Sequence, residues 1–148
     1  MATIVRLATE KDVPRIERLL KKANVHASGV DKPGTTFLVV ESQKRDTSQL
    51  IGTAGVELYG KKALLRSLVV DSGAGNARIG VEVMRVLLAF VQEQGVQELY
   101  LLTRMPSLFF EPLGFSKIDR DALPDDIKMS THVQDSGSEA VTMVHWLG

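Results

Sequence analysis

Apolar positions along the chain follow two rhythms, one helical and one alternating. Ile16, Leu19, Leu20 and Ala23 recur at helical spacing, while Arg15, Glu17, Arg18, Lys21 and Lys22 occupy the opposite face. That pattern predicts an amphipathic helix lying on a sheet. Thr9, with Asp12 three positions later, forms a weaker version of the capping box and predicts where the helix starts. Before it, residues 3–7 read as a short strand. The second helical rhythm is Ile79, Val83, Val86, Leu87, Phe90 and Val91, which predicts a helix over 79–94 ended by Gly95.

Branched and aromatic runs predict strands at 37–41, 50–58, 63–70, 99–103, 115–118 and 140–147. Gly29, Pro33 and Gly34 break any period between 24 and 36, so that stretch is expected to connect elements. Residues 42–49 read as a solvated turn region and 106–113 as a short helix. Residues 119–138 are polar, and Asp119, Asp121, Asp125 and Asp126 read as a solvated face. A hairpin closing on Gly60-Lys61 pairs Tyr59 with Lys62, Glu57 with Leu64 and Gly55 with Arg66. Glu57 and Arg66 then share a face as diagonal neighbours about 7–8 Å apart at Cα, while Ser67 is expected to face the other way.

Composition narrows the possibilities. With 148 residues, 44% hydrophobic and 24% charged, the chain is expected to form a single α/β (α+β) domain over 1–148. Eighteen basic and 18 acidic residues balance to zero, so no long-range field gathers nucleic acid or an anionic membrane surface. The absence of cysteine excludes disulfides, thiolate metal ligands and a thiol nucleophile. His26, His132 and His145 show no ligand spacing, so no metal is expected. The N-terminus lacks an apolar signal core and no run approaches the roughly 18 apolar residues of a membrane span, from which a cytoplasmic protein is expected.

The chemically suggestive stretch is the strand, glycine-bearing turn and helix within 64–88. A helix starting just after such a turn presents unpaired N–H groups to an anion. Glycine permits positive φ and a close backbone approach to phosphate oxygens. The same pattern also occurs as plain structure.

The order of elements from Ile4 to Trp146 resembles the GNAT superfamily of N-acetyltransferases. Val5-Arg6-Leu7-Ala8-Thr9-Glu10-Lys11-Asp12 resembles its opening strand and cap, Leu68-Val69-Val70 its cofactor strand, and Phe109-Phe110-Glu111-Pro112-Leu113-Gly114-Phe115 its final helix and strand. Residues 63–70, 98–103 and 119–124 are similar to the acetyltransferase-like proteins of arsenic-resistance operons and to the acetyltransferase domain of N-acetylglutamate synthases. The resemblance implies a mixed, mostly antiparallel twisted sheet flanked by helices, with acetyl-CoA as co-substrate and a small amine as acceptor. It places the pantetheine beside Leu68, Val69 and Val70, and the pyrophosphate on the loop of Gly75, Asn76, Ala77, Arg78, Ile79 and Gly80. The N–H near Val69 becomes the expected oxyanion donor, and edge strands could support a homodimer, as in many relatives.

Two positions depart from the family pattern. Arg78 replaces a pyrophosphate-loop glycine, so its side chain either points away or lends its guanidinium to the anion. Phe110 stands where many relatives carry a tyrosine thought to protonate the leaving thiolate. On the acceptor side, Glu57 and Arg66 form either a structural ion pair, or a base acting through water and a clamp for a substrate carboxylate. Tyr59 either lines the acceptor cleft or packs across strands. The leading expectation is therefore an N-acetyltransferase for a small, amino-acid-like amine; the alternative, favoured by Arg78, is a non-catalytic binding or regulatory protein with a degenerate pyrophosphate loop.

Overall fold

The structure is a computed structural model that describes residues 2–25, 34–44, 46–71, 76–104 and 107–148. In chain order the elements are β1 (Ala2–Leu7), a 3-10 turn (Glu10–Asp12), α1 (Val13–Lys22), β2 (Thr35–Lys44), β3 (Thr47–Tyr59) and β4 (Lys62–Val70). There follow α2 (Asn76–Glu93), β5 (Glu98–Thr103), α3 (Ser107–Phe110), a 3-10 turn (Glu111–Leu113) and β6 (Ser116–Ile118). A third such turn (Arg120–Ala122), α4 (Asp125–Lys128), α5 (Thr131–Asp135) and β7 (Val141–Trp146) complete the chain. The strands form one seven-stranded sheet in the order β1-β2-β3-β4-β5-β7-β6. The β4–β5 pairing is parallel, and the other described pairings are antiparallel.

Each face of the sheet is covered by the helix whose apolar stripe fits it. Val83, Met84, Leu87 and Val91 of α2 pack with Leu38, Val40, Ala54, Val56, Ala63, Leu65, Leu99 and Leu101 in one cluster. On the other face, Ile16, Leu19 and Leu20 of α1 pack with Phe37, Val39, Leu50 and Val69. Farther along that face, Leu123, Ile127 and Val133 cover Leu64, Tyr100 and Val144. Full burial of side chains of this size is worth roughly 1.5–3 kcal/mol each, which makes these layers the main cohesive force.

Several boundaries differ from the sequence expectation. Residues 42–49 are mostly strand, because β2 runs to Lys44 and β3 resumes at Thr47, so the solvated stretch is the tip of a long hairpin. The helix expected at 79 starts at Asn76. The segment 119–138 is more than a solvated face: its four aspartates are exposed, yet Leu123, Ile127, Ser130 and Val133 are buried. Most of the expected connecting segment, residues 26–33, lies outside the described residues. Gly95 ends α2 with φ +84°, as its position predicts. His145 packs its ring over Gly114, where a Cβ would stand 2.6 Å from Nε2, in keeping with a structural role.

The start of the chain is held by charge. Arg6 donates to both oxygens of Asp12, at 2.7 and 2.9 Å, and also to Glu41 across the sheet edge. Asp12, 2% exposed, closes the capping box by accepting from the Thr9 N–H at 2.8 Å. The Arg6 hydrogen bonds outweigh burial and hold the Asp12 carboxyl well below the usual carboxylate range. A depressed folded-state pKa contributes stability that is complete above the unfolded value near ~4 and is lost as pH falls through the folded value. Asp12→Ala is expected to lower unfolding free energy by about 2 kcal/mol at pH 7, read from the urea midpoint. The wild type should also lose stability more steeply than the variant below about pH 4.

Candidate functional site

The site grows out of the β3–β4 hairpin. Gly60, at φ +68°, supplies the turn, and the register is Tyr59 with Lys62, Glu57 with Leu64 and Gly55 with Arg66, as read from the sequence. Beyond Arg66 the regular alternation fails. Thr53 pairs with Val69, so Ser67 and Leu68 together oppose Ala54 in a bulge, and Ser67 takes φ +58°. The expectation that Ser67 faces away from Arg66 is corrected here, since Arg66 Nε donates to Ser67 Oγ at 3.2 Å.

Next to this bulge the sheet opens. The parallel register of β4 with β5 runs through Lys62–Glu98, Ala63–Leu99 and Leu64–Tyr100 and then stops, while both strands continue. A cleft of about 780 Å³ lies where they part, within the size range of small-molecule and cofactor pockets. Its walls come from Asn24 just past the end of α1, from Arg66 to Leu68 and Val70 of β4, and from Leu101 to Thr103 of β5 with Arg104 after it. Phe109, Phe110 and the 132–140 segment close it.

Arg66 is the charged centre of this region, 2% exposed. A guanidinium at that depth needs a counter-charge, and Glu57, 9% exposed, supplies it with Oε2 3.1 Å from Nη1. The other carboxylate oxygen accepts from Tyr59 Oη at 2.6 Å and from Ser130 Oγ at 2.7 Å. Burial pushes the Glu57 carboxyl up, but the Tyr59, Ser130 and Arg66 interactions together bring it below its ordinary value. Burial, together with the Glu57 hydrogen bond, pushes the Tyr59 hydroxyl up to about 12. Glu57 is therefore held as the anion and Tyr59 as its neutral donor.

The structure thus brings Glu57, Tyr59 and Arg66 together, but only Arg66 of the three lines the cleft. Leu68, Val70 and Gly80 also line it, whereas Val69 packs its side chain into the α1 cluster. The span expected as a pyrophosphate loop is corrected in part: Asn76, Ala77, Arg78, Ile79 and Gly80 belong to the first turns of α2, and Gly75 lies outside the described residues. Arg78 is exposed, and a Cβ on Gly80 would stand 3.2 Å from Cζ of Phe109. The bare Cα of Gly80 thus admits an aromatic ring. Phe110 is buried, edge-on to both Phe109 and Phe115.

Sequence reasoning missed the far wall, formed by His132, Asp135, Ser136 and Gly137, and the buried Ser130 behind it. One sequence signal bears on it: Leu123, Ile127 and Val133 are branched apolar residues in a mostly polar stretch, and they are the ones that seat the segment on the sheet. Among the described residues no group of three or more His, Asp or Glu could hold a metal, and no helix is long and apolar enough to cross a membrane.

The sheet thus parts beside a bulged strand, and the helix that follows that strand brings Gly80 to the cleft wall. The chain belongs to the acetyltransferase (GNAT) family, whose model matches residues 3–115. It is 25% identical over 134 residues to the uncharacterized protein YwlB of Bacillus subtilis, covering 89% of this chain and 88% of that one. It is also 34% identical over 80 residues to an uncharacterized N-acetyltransferase of Chlorobaculum tepidum, covering 53% of this chain and 51% of the relative. Among solved structures, N-acetylglutamate synthase from Neisseria gonorrhoeae, complexed with coenzyme A and N-acetyl-glutamate, superposes with a TM-score of 0.76 at 19% identity. That match covers all of this chain but 36% of the synthase. Rv2747 from Mycobacterium tuberculosis, in complex with CoA and NLQ, superposes with a TM-score of 0.75 at 17% identity, covering 98% and 99% of the two chains. Acetyl-CoA as co-substrate is consistent with the family and with these CoA-bound neighbours.

Removing one partner of the buried pair should cost more than removing a peripheral donor. Glu57→Ala, which takes a carboxylate away from the buried Arg66 guanidinium, is expected to destabilise by about 3–5 kcal/mol, against about 1 kcal/mol for Tyr59→Phe. Chemical denaturation of the two variants measures the contrast.

Proposed function

We propose that this protein is an N-acetyltransferase that moves the acetyl group of acetyl-CoA to the amine of a small, amino-acid-like acceptor by direct attack. The observation that carries the reading is the opening between β4 and β5, with a buried arginine on its wall and the start of α2 at its rim. Acetyl-CoA supplies the activated acyl group. The amine lone pair forms the new C–N bond at the thioester carbonyl, the C–S bond breaks, the sulfur leaves as a thiolate that takes up a proton, and the nitrogen loses one.

The residues divide the work by position. Leu68, Val70 and the backbone at Val69 would flank the pantetheine, and a backbone N–H near Val69 would donate to the developing oxyanion. The first turns of α2, Asn76 to Gly80, would meet the pyrophosphate, with the exposed Arg78 guanidinium at hand for charge-assisted contact. Arg66 would hold an acceptor carboxylate while Glu57 fixes its orientation. Tyr59 would shape the acceptor end from behind through Glu57. Glu57 is the base of this scheme, acting through water. Because its donors keep it ionised, the acid limb of the rate profile belongs to the acceptor ammonium.

Two measurements test this reading. kcat/KM is expected to rise with pH through neutrality, and Glu57→Gln should lower it about 10²-fold without moving that limb. Calorimetric titration with acetyl-CoA should show micromolar binding by the wild type, followed by saturable thiol release with an amine. Arg78 and the Phe109 ring against Gly80 favour a second reading, a non-catalytic family member. No binding by the wild type, with binding gained in Arg78→Gly, would replace the first reading with that one.

A further inference from the structure

The far wall of the cleft is a short segment that owes little to its own secondary structure. Residues 130–137 carry α5, a helix of 5 residues, far below the length at which a helix holds itself in water. One apolar side chain of α5, Val133, is buried on the sheet. Two polar pins do the rest. At the near end, Ser130 caps α5 by accepting from the His132 N–H at 3.2 Å, and its hydroxyl donates to Glu57. At the far end, the guanidinium of Arg120 reaches across to three carbonyls: Nη2 donates to Val133 at 2.7 Å and to Ser136 at 3.2 Å, and Nη1 to Gly137 at 3.0 Å.

Those carbonyls sit at the end of α5 and in the turn after it, where a cation is favoured; Val133 also accepts from the Ser136 N–H and Gly137 from the Ala140 N–H, so the guanidinium reinforces the turn. Gly137 also brings the segment close to the cleft-lining Arg104, since a Cβ there would stand 3.4 Å from Nη2. Between the pins, His132 and Asp135 line the cleft.

We propose that Arg120 is a positioning residue for the acceptor side of the cleft: its fork onto the Val133, Ser136 and Gly137 carbonyls sets where His132 and Asp135 stand. Arg120 itself does not line the cleft and acts on the wall alone. The inference rests on the acetyltransferase reading for the identity of the ligand, but not for the mechanics of the wall. Lysine cannot replace the fork, because a single ammonium on a flexible stem does not span carbonyls from three residues in fixed geometry. Ser130 is the complementary pin, tying the same wall to the Glu57 and Arg66 pair.

The experiment compares wild type, Arg120→Ala, Arg120→Lys and Ser130→Ala by amide hydrogen exchange and by the imidazole proton signals, with acetyl-CoA as the added probe. In Arg120→Ala the amides of 131–137 should exchange at least about tenfold faster while those of α2 keep their protection, with Arg120→Lys in between. Acetyl-CoA should bind within about threefold of wild type. The His132 signal, which shifts on acetyl-CoA addition in the wild type, should lose most of that response, while His145, packed on Gly114, stays indifferent in every variant. Unchanged exchange and an unchanged His132 response in Arg120→Ala would overturn the proposal. So would a wild-type protein that binds acetyl-CoA with no response at His132. Absence of acetyl-CoA binding in the wild type would instead defeat the acetyltransferase reading, leaving the exchange data to decide the role of Arg120. Should Arg120→Ala fail to fold, Arg120→Lys and Ser130→Ala decide by the same readouts: faster exchange confined to 131–137 supports the proposal, and wild-type exchange in both overturns it.

Discussion

A guanidinium buried inside a sheet protein constrains everything around it. Arg66 sits just past the point where β4 parts from β5, and it needs an anion close by. Glu57 meets that need from the neighbouring strand, which requires the hairpin to close in one register only, since a one-residue slip would turn Glu57 to the α2 side. The anion in turn requires donors, found in Tyr59 on its own strand and Ser130 from the far segment. One buried charge thereby ties the hairpin, the bulge and the far wall of the cleft into a single electrostatic unit.

The same region shows how a sheet makes a cleft without losing its cohesion. A parallel pair that stops after Leu64 and Tyr100 would leave strand edges exposed to nothing. Here the bulge at Ser67 turns β4 away, α1 and α2 cover the two faces of the departing strand, and Phe109 and Phe110 line the cavity side. The cost of the positive φ at Ser67 is local, and the surrounding pairings over-determine it. Gly80 takes part by letting the Phe109 ring lie against α2, a different use of glycine from the close approach to phosphate that the sequence suggested.

What could be read from the sequence is what short-range chemistry decides. The hairpin register followed from Gly60 and strict alternation, the α1 stripe from helical spacing, and the end of α2 from Gly95. The bulge was illegible because a serine at positive φ is imposed by the mismatch with Ala54 across the strand, not by its neighbours in sequence. The early start of α2 escaped because the apolar helical period becomes visible only at Ile79. The far wall escaped because elements of 4 and 5 residues leave no period to detect, and because Arg120 finds its partners 13 to 17 positions away. The Arg6 to Glu41 contact, 35 residues apart, belongs to the same class of fact.

That last contact bears on how the sheet ends. β1 is an outer strand, and Ile4 and Leu7 stay partly in water, so its hold on β2 depends on backbone pairing, on Val5 against the core and on the charges gathered around Arg6. Beneath it lies β2, a ten-residue strand whose Leu38, Val39 and Val40 are buried. In physical terms β1 is a cover strip over a template for strand addition. Because Asp12 and Glu41 are buried, salt screens these charges little; it is loss of their negative charge in acid that would loosen the strip and uncover the hydrogen-bonding edge of β2.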